Sequence, residues 1–63
     1  MQGTYYTPYK QGTLTKAQAR IMEAVGDKAY LRQICERSGY YIAGAASLVN
    51  SLVEAEILQA TNV

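Results

Sequence analysis

Apolar residues recur at helical spacing three times along the chain, and each run is bounded by a cap or a glycine. Ala17, Ile21, Met22 and Val25 form the first run. Thr15 precedes it and Gln18 follows three residues later, the pattern of a capping box, with Leu14 placed to staple onto Ala19. Gly26 suits the position just past the helix end. This predicts a first helix over about 15–25. Leu31, Ile34 and Cys35 mark a second helix over about 28–38, with Asp27 as its expected cap and Gly39 ending it at a position suited to positive φ. Arg32 and Glu36 form an i,i+4 pair on its expected outer face. Ile42, Ala45, Leu48, Val49, Leu52 and Val53 give a third stripe, predicting a helix over about 41–55. Its opposite side reads Ala43, Gly44, Ser47, Asn50, Ser51 and Glu54.

The flanks read differently. Residues 1–13 carry Pro8 and two glycines, which argue against a helix. They are expected to form a tyrosine-rich, partly ordered leader with Tyr5, Tyr6 and Tyr9 as hydrophobic anchors; a short edge strand is the other option. Ile57 to Ala60 reads as a short extended segment. The expected fold is therefore all-α or mainly α: a three-helix bundle over residues 14–60 with at most a rudimentary β element.

With 63 residues the chain makes one domain at most, near the lower limit for an unassisted core, and its hydrophobic share of 49% is enough for a globular one. Cys35 is the single cysteine, so no internal disulfide forms and the plain reading is a small buried apolar residue. Histidine is absent, the five acids are scattered and no phosphate-binding glycine loop occurs. The chain thus reads as no enzyme, with no catalytic residue, no metal site and no cofactor. Met1 to Gly12 is too polar for a signal peptide, and the longest charge-free helical stretch, Ser38 to Val53, is shorter than the ~20 residues a membrane span needs. A cytoplasmic protein without membrane contact is expected.

Charge is unevenly placed. All six basic residues lie between Lys10 and Arg37, which leaves the first 37 residues at +3 against three acids. From Ser38 onward the only charges are Glu54 and Glu56. A polyanion would be drawn to the first part.

The run from Leu31 to Gly39, followed by Tyr40 to Leu58, resembles a winged helix-turn-helix, the core of MarR-like transcriptional regulators. Leu31, Ile34, Cys35, the Glu36-Arg37 pair, Gly39, Leu48-Val49, Leu52, Glu54-Ala55 and Ile57-Leu58 stand on that pattern without a gap. Leu14-Thr15-Lys16-Ala17-Gln18 resembles the preceding family helix, so the likeness covers about 14–58. It implies a regulator of transcription that binds double-stranded DNA, of a size met in phage and mobile elements. The third helix would enter the major groove with Tyr41, Ala43, Gly44, Ser47 and Asn50, and Arg20, Lys28, Arg32 and Arg37 would meet phosphates. Two departures stand out. The expected reading positions, Tyr41 to Gly44, carry no charge, and the wing is truncated because only three residues follow Ala60. The alternative reading is a protein-interaction or homodimerisation module, with Tyr41, Ile42, Ala43 and Gly44 as a weakly polar interface.

Overall fold

The computed structural model describes residues 3–63. Six elements follow in the order β1 (Thr4–Pro8), α1 (Lys16–Val25), β2 (Ala29–Tyr30), α2 (Leu31–Ser38), α3 (Ile42–Glu54) and β3 (Leu58–Asn62). The strands form one antiparallel sheet in the order β2-β1-β3. The fold is α+β, and the expectation of an all-α three-helix bundle with at most a rudimentary β element is corrected.

The correction begins in the leader. Thr4-Tyr5-Tyr6-Thr7 is a run of aromatic and β-branched residues, the composition that suits a pleated surface. Instead of a partly ordered arm or an edge strand, β1 is the middle strand. Tyr6 packs against the core and pairs with buried Ala29, while Tyr5 meets Tyr30 edge-to-face, with ring centroids 6.0 Å apart. Pro8, read as a breaker, is tolerated for a geometric reason. The Val63 N–H donates to the Gly3 carbonyl at 2.8 Å, and the Tyr9 N–H donates to the Ile57 carbonyl at 2.8 Å. Counting by two between these bonds places Tyr5 and Thr7 in hydrogen-bonding register with β3 and Pro8 outside it. The side of Pro8 turned away from β3 has no strand beside it, because β2 pairs only with Tyr5 and Tyr6. The missing N–H therefore deprives no ladder bond.

The segment after α3, expected as a truncated wing, takes another course. No hairpin follows α3. Instead β3 pairs along its length with β1, from Thr4 opposite Asn62 to Pro8 opposite Leu58. That ladder joins Thr4–Pro8 to Leu58–Asn62.

The helices begin and end on local chemistry. Thr15 Oγ1 accepts from the Gln18 N–H at 3.2 Å, and Gln18 Oε1 accepts from the Thr15 N–H at 3.0 Å. Gly26 and Gly39 take φ of +59° and +80°, and the Gly39 N–H closes α2 onto the Cys35 carbonyl at 2.9 Å. At α2 the expected start at Lys28 is corrected. Ala29 and Tyr30 are drawn into the sheet, and the Tyr30 N–H is met by Gln33 Oε1 at 3.0 Å, not by Asp27. The end of α3 uses no glycine. Glu56 adopts φ of +62°; its N–H bonds the Val53 carbonyl and the Ile57 N–H bonds the Leu52 carbonyl, a Schellman pair. Lys10 Nζ holds the Glu56 carboxylate at 2.7 Å.

Ile21, Val25, Ile34, Ala45, Val49, Leu52 and Leu58 are fully buried and join the three helices to the sheet. Each large side chain among them contributes about 1.5–3 kcal/mol. Cys35 is half-buried, with its thiol free, and packs against this core. Among the described residues, no helix is long and apolar enough to cross a membrane.

Candidate nucleic-acid interface

The turn Gly39-Tyr40-Tyr41 delivers the chain from α2 into α3. The Tyr40 N–H donates to buried Ser38 Oγ at 3.3 Å, and the Tyr40 ring packs half-buried against the core. This fixes the entry to α3 from below. On the buried side of α3 lie Ala45, Val49 and Leu52. At 3.6 residues per turn the opposite side is the line Ala43, Ser47, Asn50 and Glu54, flanked by Gly44 and Ser51. All six are exposed. Tyr41 is 91% exposed and Ile42 is 64% exposed. Ile42, expected to face inward, is thereby corrected. It stands in the first turn of α3, before the helix overlaps the packed core.

Five of the sequence-predicted residues, Tyr41 at the N-cap and Ala43, Gly44, Ser47 and Asn50 along α3, are thus all exposed. Ser51 does not belong with them functionally, because its hydroxyl accepts from Gln18 Nε2 at 3.3 Å and donates to the Leu48 carbonyl at 2.7 Å.

The four basic candidates divide. The Arg20 guanidinium lies over the Tyr40 ring, 5.9 Å from its centroid, which sets one cation beside the entry to α3. Lys28 Nζ lies 4.5 Å from the Tyr5 ring centroid, at the sheet. Arg32, in the first turn of α2, is exposed and makes no ion pair or side-chain hydrogen bond among the described residues. The expected Arg32–Glu36 pair is not formed; the ion pair found among the described residues is Lys10–Glu56. Arg37 is differently employed. Its Nη1 donates to the Ala24 carbonyl at 3.0 Å, near the C-terminal end of α1, where carbonyls lack helical partners. This bond ties α2 to α1 and contributes about 1 kcal/mol to the fold. Nothing in the sequence marks it, since the two residues meet only once the helices are packed.

Sequence reasoning also missed the sheet's contribution. The outer side of β1 and β2 carries Tyr5, Tyr30 and the Lys28 ammonium as one cluster. A shallow groove of about 410 Å³ lies elsewhere, lined by Pro8, Tyr9, Lys10, Leu14, Met22 and Ile57, and contains none of the predicted site residues. Among the described residues, no group of three His, Cys, Asp or Glu is gathered as a metal set would require. No protein-family model, curated protein or solved structure matches the chain.

Proposed function

We propose that the chain is a small cytoplasmic regulator that binds double-stranded DNA, with the outer face of α3 in the major groove. The observation that carries this reading is the exposure of Tyr41, Ala43, Gly44, Ser47 and Asn50 on one acid-free stretch of helix, with the Arg20 guanidinium at its entry. Arg20, Lys28 and Arg32 meet phosphates and set the register; the α3 side chains meet base edges. Arg37 serves the fold first. The resemblance to MarR-like regulators over about 14–58 supports the same reading.

A second reading, docking of a protein partner or a second copy, is favoured by the exposed Tyr41 and Ile42 side chains. One experiment separates the two. Reversing Lys28→Glu and Arg32→Glu together removes two phosphate contacts, each worth about 15-fold in counterion release at about 50 mM salt. Fluorescence anisotropy with a labelled random-sequence duplex is expected to show about a 200-fold loss of affinity. An unchanged affinity would exclude the phosphate roles assigned to these residues. Loss of partner binding on Tyr41→Ala, in a chain that ignores DNA, would favour the second reading.

A further inference from the structure

The front of α3 carries an unusual chemistry for a DNA-reading surface. Between Ser38 and Val53 there is no Arg, Lys, Asp or Glu. A G·C pair is read best by Arg or Lys on the guanine O6 and N7, or by a carboxylate on the cytosine amine. Up to Val53 this helix has neither. What it has is exposed carbon at Tyr41, Ile42 and Ala43, the Ser47 hydroxyl, and the Asn50 amide on the same outer line. The thymine C5-methyl is the one apolar group that bases of ordinary DNA present in the major groove, and an asparagine amide matches the N6–N7 edge of adenine.

Gly44 adds an independent observation. A Cβ built there meets nothing within 4 Å, and the backbone is ordinary helix. Glycine inside a helix is unfavourable relative to alanine, and no internal packing or positive φ requires it here. A glycine whose missing side chain faces outward suits the close approach of an outside surface. Charge arrangement selects what that surface is. Arg20 sits at the entry of α3 on Tyr40, and the acid on the outer line of α3, Glu54, lies about 16 Å farther along the axis from Ala43. A polyanion approaching the first half of α3 meets the Arg20 cation beside its entry, and the carboxylate of α3 itself only at the far end.

We infer that α3 discriminates bases through thymine methyl groups, with Tyr41, Ile42 and Ala43 as the apolar contact surface, Gly44 as the point of closest approach and Asn50 as the reader of an adenine edge. The inference rests on the DNA-binding reading and deepens it.

The test compares four alternating duplexes at low salt: dA-dT, dA-dU, dG-dC and dG paired with 5-methyl-dC. Affinity is expected to follow the major-groove methyl, not the base pair. Replacing dT by dU should weaken binding about fourfold per contacted methyl, the equivalent of about 0.8 kcal/mol of buried methyl surface. Methylating cytosine should restore part of that loss. Gly44→Ala should raise the Tm by about 4–8 °C, while weakening binding to the dA-dT duplex, so misfolding cannot explain the loss. Equal affinity for dT and dU duplexes would overturn methyl readout and leave DNA binding standing. So would unchanged dA-dT affinity in the Gly44→Ala chain. Absence of binding to all four duplexes would overturn both readings together.

Discussion

Removing residues 1–9 is expected to leave the chain unfolded at room temperature. Both β2 and β3 pair in the sheet with β1 alone, so its loss dissolves the sheet entirely. Tyr6 leaves the core, and buried Ala29 and Leu58 lose their cross-strand cover. A chain of 63 residues holds about 3–9 kcal/mol of stability. Ladder bonds at about 1 kcal/mol each account for several of these. Exposure of Leu58 alone costs about 1.5–3 kcal/mol more. Thr7→Pro probes the same strand with one substitution. Thr7 is in hydrogen-bonding register with Gln59, so proline there removes a ladder donor that Pro8, one residue on, never supplied. Circular dichroism and urea titration should show no cooperative transition for the truncated chain and a much lower midpoint for Thr7→Pro. A truncated chain that unfolds cooperatively at the full-length midpoint would return residues 1–9 to the status of a dispensable arm.

The second large effect is electrostatic. With phosphate contacts from Arg20, Lys28 and Arg32, binding to random duplex should fall with a log–log salt slope of about −2.7, which is about 40-fold between roughly 50 and 200 mM salt. The neutral front of α3 contributes nothing to this slope, so nearly all of the salt dependence belongs to α1, α2 and the segment before β2. Arg37 adds little, because its guanidinium is engaged with the Ala24 carbonyl. A slope near zero would mean that no phosphate is neutralised.

How far the fold was legible depended on the range of the interactions. The Thr15–Gln18 box, Gly26 and Gly39 act within one turn of chain, and each is visible as a residue type at a fixed spacing. The sheet was not legible, because β1 pairs with a strand more than fifty residues away and nothing local announces that partner. Pro8 and the leader glycines then weighed against regular structure, although Pro8 sits where a proline does no harm. Ala29 and Tyr30 were absorbed into the second helix for the same reason. Glu56 in a left-handed conformation has no residue-type signal; the hydrogen bonds and Lys10 hold it there. In the candidate site, helical periodicity identified the outer line Ala43, Ser47 and Asn50. It turned Ile42 the wrong way, since periodicity knows the direction of a side chain but not where along the helix the core begins. The basic residues were legible as charges and not as contacts: Arg37 and Lys28 acquire their intramolecular partners only through tertiary packing.

Residue-by-residue amide NMR of the full chain, titrated with a dA-dT duplex at low salt, tests most directly whether α3 is the reading element. Shifts are expected to concentrate on Tyr41, Ala43, Gly44, Ser47 and Asn50, with Arg20 beside the entry to α3, while the groove around Leu14 and Met22 stays unmoved. Shifts confined to the sheet or to that groove, with the front of α3 undisturbed, would contradict the proposed interface.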